Sequence, residues 1–287
     1  ELTGAATTYN VTGSQDVTLS GNESSFDGKT VADSSTGTST VKITTLDDSD
    51  LSKVSVDNIL VSSNVASKTL TLGDNATVTL GTDVTTAFAV AGKKADYTVN
   101  LVTGDDTAAS GAVIDITTGT LTASSNVKSL NIDATVGKLT VGTATTAATT
   151  TDITISGTKD VELGGVTAKS VVSTSTGKIG VDASATSLVT VTTGAGVDTI
   201  VMDQAAKVTV SSGAGDDVVT AGAAAESSYA LGEGDDQITI SNANAIVINA
   251  GAGDDTIIVN DALDTDAIIV GGDGTDTLTF NEDTTGD

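Results

Sequence analysis

The fold class this sequence predicts is all-β, a right-handed parallel β-solenoid, and three observations carry it. Strand formers dominate: Val, Ile and Thr recur in short runs with period-two alternation, as in Val41-Lys-Ile43, Val78-Thr-Leu80 and Ile153-Thr-Ile155. No segment holds a helical periodicity. Most telling is a repeat. Five Gly-x-Gly-x-Asp turns follow one another, with first glycines 19, 19, 19 and 21 residues apart. A fixed period of this length, with one apolar strand per turn, is the signature of stacked rungs.

Along the chain, residues 1–110 form a Thr/Ser-rich region with strand candidates such as Val17-Thr-Leu19 and Leu70-Thr-Leu72. Its repeat cannot be phased. Two readings stand: more solenoid, or a separate β-sandwich. Residues 111–190 read as degenerate rungs. The pairs Leu121/Ala123, Leu139/Val141, Val161/Leu163 and Ile179/Val181 lead into Ile200/Met202 at spacings of 18, 22, 18 and 21. An opposing series runs Ile114/Ile116, Leu130/Ile132, Ile153/Ile155 and Val189/Val191.

Residues 191–287 hold the clear repeats: Gly194-Ala-Gly196-Val-Asp198, Gly213-Ala-Gly215-Asp-Asp217, Gly232-Glu-Gly234-Asp-Asp236, Gly251-Ala-Gly253-Asp-Asp255 and Gly272-Asp-Gly274-Thr-Asp276. Aligned on the first glycine, the sixth residue on is Ile200, Val219, Ile238, Ile257 or Leu278. The eighth is Met202, Ala221, Ile240, Val259 or Phe280. Both columns are apolar, and the mixed residue between them faces out. Three residues before the glycine stand Val191, Val210, Tyr229, Ile248 and Ile269, a second strand. Each unit is one rung of two strands and two turns, with rungs about 4.8 Å apart. The Gly/Asp turn lies on one edge, and an irregular turn such as 203–206 or 241–244 on the other.

Composition narrows the chemistry. The 287 residues include 38 acids against 12 lysines, no arginine and a net charge of −26. Nucleic acid and anionic membrane are poor partners for such a chain, and divalent cations are good ones. The chain has no His and no Cys. Soft metal sites, thiol chemistry and Ser-His-Asp catalysis are therefore excluded. Without Cys the redox compartment is open. There is no 18-residue apolar run, so no transmembrane helix and no membrane insertion are expected. The chain begins Glu1-Leu2, without an initiator Met or a signal peptide, and reads as a piece of a longer protein.

The repeated turns set a site. Glycines at Gly194, Gly196, Gly213, Gly215, Gly232, Gly234, Gly251, Gly253, Gly272 and Gly274 permit close backbone approach. Asp198, Asp217, Asp236, Asp255 and Asp276 add one carboxylate per rung. Stacked roughly 5 Å apart, two such charges repel by roughly 3 kcal/mol at an effective dielectric near 20. A hard cation between turns converts that repulsion into a cross-link. Calcium, with six to eight oxygen ligands in forgiving geometry, suits it best, and magnesium ranks second. The adjacent Asp216, Asp235, Asp254 and Glu233 read equally as ligands or as solvated side chains. Asp47-Asp-Ser-Asp50 reads as a solvated turn. Asp261, Asp264 and Asp266, in an insertion away from the glycine turns, read as solvated more than as an extra site.

Gly271-Gly-Asp-Gly-Thr-Asp-Thr-Leu-Thr279 matches the whole nonapeptide G-G-x-G-x-D-x-U-x, and so resembles the RTX, or hemolysin-type, calcium-binding repeats. The other four copies replace its first glycine by Thr193, Ser212, Leu231 and Ala250. In that family both turns of a rung follow the motif. Here only one does, so the resemblance implies a β-roll with a single column of about four calcium sites between Asp198 and Asp276. It implies export from a Gram-negative cell and folding outside it. With the Thr/Ser/Ala/Val-rich, acidic composition, it also suggests a non-enzymatic structural component of a secreted bacterial cell-surface layer. The expected partners are copies of the chain in a lattice, and lipopolysaccharide or another surface glycan bound through parts outside this segment. An adhesin or biofilm-matrix segment, and the calcium-binding tail of a type I-secreted enzyme, are the alternatives.

Overall fold

The computed structural model describes residues 7–44, 47–61, 68–81, 88–94, 96–104, 115–124, 126–146, 151–183, 188–202, 207–222, 226–241, 245–260 and 265–281. The chain winds as a parallel β-solenoid. Its strands stack into a thirteen-stranded sheet that begins at Val17–Gly21 and ends at Ile268–Asp273. A twelve-stranded sheet begins at Ser49–Leu51 and ends at Thr277–Phe280. Successive strands alternate between the two sheets, so each strand pairs in parallel with the one a full rung away. Parallel strands need a long crossover; here the opposite strand of each rung supplies it.

The first rungs have a third side. Thr8–Val11, Thr30–Asp33 and Val54–Ser55 make a three-stranded sheet that goes no further. Glu23–Ser25, a single 3-10 turn capped by the Asn22 side chain, is the one helical element among the described residues. It delivers Phe26 into the core, edge-on to Tyr9 at 6.4 Å between ring centres. The described residues of the 1–110 region therefore form solenoid rungs, in register with the rest, and not a separate sandwich. Outside the three-stranded sheet, the strands up to Thr103, those from Asp115 on and those beyond residue 190 belong to the same two sheets.

The alternation of the sequence explains the core. In Gln237–Ile240, Ile238 and Ile240 are buried while Thr239 between them is not. Strand after strand adds such aliphatic side chains, one in Thr190–Thr192 and two in Gln237–Ile240, to one continuous core. Burying each is worth about 1.5–3 kcal/mol. The repeat columns Ile200 to Leu278 and Met202 to Phe280 stand in register as expected. So does the column Val191 to Ile269.

Upstream the register differs from the expectation in three places. Val181, not Ile179, stands opposite Ile200. Leu121 pairs with Phe88 and Thr145, whereas the neighbours of Leu139 are Ile116 and Val161. In the opposing series, Val171 and Ser173 make a rung of their own after Ile153/Ile155. The next rung is Val191 with Thr193, and Val189 is exposed. Ile116 belongs to the other sheet, and Ile114 lies outside the described residues. The cause is the period of two. A Val/Thr strand slipped by two residues keeps every side chain on the same face.

Candidate metal centre

Each glycine turn is a corner where the chain leaves the thirteen-stranded sheet for the twelve-stranded one, as between Thr209–Ala214 and Val218–Ala221. At four turns both glycines hold positive φ, from +107° to +137°: Gly213, Gly215, Gly232, Gly234, Gly251, Gly253, Gly272 and Gly274. The turn at Gly194 and Gly196 does not share that conformation. Close packing still demands glycine there, because a Cβ on Gly194 would lie 2.1 Å from the Ser175 carbonyl oxygen.

The register places the aspartate of each turn in the core. Gly180 pairs with Thr199, so Asp198 lies beside Ile179, and the column Leu139, Val161, Ile179 continues as Asp198, Asp217, Asp236, Asp255 and Asp276. Asp198, Asp217, Asp236 and Asp255 are at most 2% exposed, and Asp276 in the last rung is half-buried. Their Oδ1 atoms form a ladder. Ile179 N–H donates to Asp198 at 2.7 Å, Asp198 N–H to Asp217 at 2.8 Å, and Asp217 N–H to Asp236 at 2.8 Å. Asp236 N–H donates to Asp255 at 2.9 Å and Asp255 N–H to Asp276 at 3.1 Å. The Oδ2 atoms of Asp198, Asp217, Asp236 and Asp255 are shut off from solvent and have no hydrogen-bond partner.

The outer acids run the other way. Asp235 N–H donates to Asp216 at 3.0 Å, Asp254 N–H to Asp235 at 2.8 Å and Thr275 N–H to Asp254 at 2.8 Å. These side chains are exposed, as is Glu233. Asp261 and Asp264 lie outside the described residues, as do 203–206 and 242–244 of the irregular turns.

Electrostatics separates the buried column from the other acids. Burial pushes the Asp217 carboxyl up to about 6, against the opposing pull of the Asp198 N–H and the Ser212 hydroxyl. Burial pushes Asp236 up to about 7, with the charges of Asp217 and Asp255 adding to it. Asp198 and Asp255 are raised for the same first reason. Upstream, Lys93 at 2.8 Å and the Ser52 hydroxyl hold Asp50 down to about 2.

Two features of the site went unread in the sequence. One is the residue before the first glycine. Thr193, Ser212, Leu231 and Ala250 are buried, and a Cβ on Gly271 would lie 2.1 Å from Asp276 Oδ2. That position adjoins the carboxylate of its own rung at Thr193, Ser212 and Gly271, and holds a hydroxyl in two rungs and an aliphatic group in two. The other is plain in the letters: after Lys207 there is no Lys or Arg, and sixteen acids follow. Lys178 draws on Asp198, the first of the buried column, while the charges acting on Asp217, Asp236 and Asp255 are those of other acids.

A buried carboxylate oxygen with no partner carries a large desolvation cost. The donor set is hard oxygen throughout and fits a hard divalent cation. Among the described residues no three acidic side chains converge on one point. An ion here would therefore take carboxylates from successive rungs and main-chain oxygens of the glycine turns. No family model, no curated protein and no solved structure matches this chain.

Proposed function

We propose that this chain is a structural segment of a secreted bacterial surface layer, folded and assembled through calcium. The observation that supports it is the run of four buried carboxylates, each with an orphaned Oδ2, in a part of the chain that has no basic residue after Lys207. The turns resemble RTX repeats, and that resemblance favours calcium over magnesium and an extracellular setting. Bound calcium would supply positive charge and oxygen coordination between rungs. Asp198, Asp217, Asp236, Asp255 and Asp276 would hold it, with Gly213, Gly232 and Gly251 letting the backbones close around it. Calcium that binds the folded turns and scarcely binds the open chain makes its binding free energy into folding free energy. The same ion, bridging exposed acids such as Asp216, Asp235 and Asp254, would let copies of this polyanion approach one another in a lattice.

Circular dichroism and calorimetry with calcium, and after its removal, test the folding part. A large gain in order or melting temperature is expected with calcium, and spectra indifferent to it would sink the reading. Electron microscopy of the full-length protein with calcium tests the lattice: a regular two-dimensional sheet is expected, and dispersed filaments would favour an adhesin.

A further inference from the structure

We infer that the solenoid is made of two parts: a stem, up to about residue 192, that folds without a cation, and an extension of five rungs that grows onto it only when the cation is present. This inference rests on the calcium reading and locates where that dependence begins.

One core column marks the boundary. Leu139, Val161 and Ile179 fill it with fully buried aliphatic groups. The next five occupants are the turn aspartates. Among the described residues every buried charged side chain is one of these, Asp198, Asp217, Asp236 or Asp255. Upstream acids stay near the surface with partners: Asp33 accepts from Ser39 at 2.6 Å, Asp152 from Ser170 at 2.6 Å, and Asp50 from Lys93 at 2.8 Å. The stem therefore closes its core with its own side chains, including Phe26 and Phe88, and owes nothing to an ion. The extension puts one uncompensated carboxylate into the core per rung.

A solenoid allows such a division. Each rung contacts only its neighbours, so terminal rungs order and melt apart from the rest. The stem also presents a template. Ile179–Ala183 offers a strand edge to Thr199–Met202, and the Ile179 N–H is the donor that receives the first carboxylate, Asp198 Oδ1. Growth begins there, and each rung added offers the next the same donor from its own aspartate.

Hydrogen exchange followed by mass spectrometry on the whole chain tests this, in calcium-stripped and calcium-saturated protein. Stripped protein is expected to protect amides from 17 to 183 and to lose protection from 199 to 280. Calcium is expected to restore it through Phe280. Asp198→Leu continues the aliphatic column by one rung and is expected to carry protection through Met202 without calcium. Ile179→Asp is expected to move the boundary one rung upstream. Loss of protection along the whole chain on stripping would overturn the two-part division and leave the calcium reading standing. Exchange that ignores calcium everywhere would overturn both. A boundary that neither substitution moves would overturn the role of the column.

Discussion

Asp236 holds the sharpest conflict in the molecule: a buried carboxylate in line with an aliphatic core, with its carboxyl raised from an ordinary 3.8 to about 7. A group raised in the folded state takes up a proton on folding. Its stabilisation of the cation-free fold is complete below pH 3.8 and is lost as pH rises through about 6 for Asp217 and about 7 for Asp236. Calcium-stripped protein should therefore melt higher at pH 5 than at pH 8 when scanned by circular dichroism. With calcium bound, protons and metal compete for the same oxygens, so the trend should flatten or reverse. A stripped protein that melts lower on acidification would contradict the buried column. The glycines offer a second residue-scale test. Gly232 sits at φ +123°, where a Cβ would lie 1.8 Å from the Gly213 carbonyl oxygen. Gly232→Ala should cost more than about 2 kcal/mol of calcium-bound stability. Gly142→Ala, whose Cβ would meet nothing nearer than 3.9 Å, should change denaturant midpoints little.

A strand in this fold is held by the rungs on either side, so damage to one should be felt according to its place. Phe88, 1% exposed in Phe88–Gly92, plugs the stem between Lys68–Leu72 and Asp115–Ala123. Phe88→Ala should cost about 3–5 kcal/mol, and by the same amount with and without calcium, because no ion site adjoins it. A calcium-dependent penalty, read from paired urea titrations, would contradict that separation. The same elements show what the letters could tell. Strands, absence of long helices and the five turns were legible because nineteen-residue spacing leaves one alignment. Upstream, the offsets between paired residues run 22, 18, 19, 23, 31, 23, 18 and 20. With rungs of such uneven length, Val/Thr alternation fits equally well two residues off. That slip set Ile179 against Ile200 and hid the fact that Ile179 shares a column with Asp198. Spacing alone thus revealed the acid column and concealed that it runs through the core. The third side of the first rungs was illegible for a related reason: Val54–Ser55 is too short to leave a pattern.

Charge along the whole chain is unevenly answered. The ion pairs found among the described residues end with Lys207–Glu226 at 3.5 Å, and from residue 208 on the sequence has sixteen acids and no basic residue. In the last described rung Leu278 and Phe280 are 44% and 48% exposed, where Ile257 and Val259 one rung earlier are 2% and 0%. Rungs that carry this much acid without a base have little margin of their own, so their stability should track the cation closely. An ion bound only by the folded state adds RT ln(1 + [L]/Kd), about 1.4 kcal/mol for each tenfold rise in free ion above Kd. The four turns with matched positive-φ glycines enclose three intervals. Filling these together should give a slope of about 4 kcal/mol per decade of calcium, and about 5.5 kcal/mol if the interval between Asp198 and Asp217 also fills. Tyr229, 1% exposed, is the one tyrosine of the extension, and with Tyr9 and Tyr97 replaced by Phe its fluorescence reports the extension in urea. Sodium chloride at matched ionic strength should not reproduce the slope, since a Debye length near 10 Å at 0.1 M weakens exposed pairs and leaves buried ones. A slope worth one ion would mean that the rungs share a single site, and the column would be a row of protonated acids with a metal at one end.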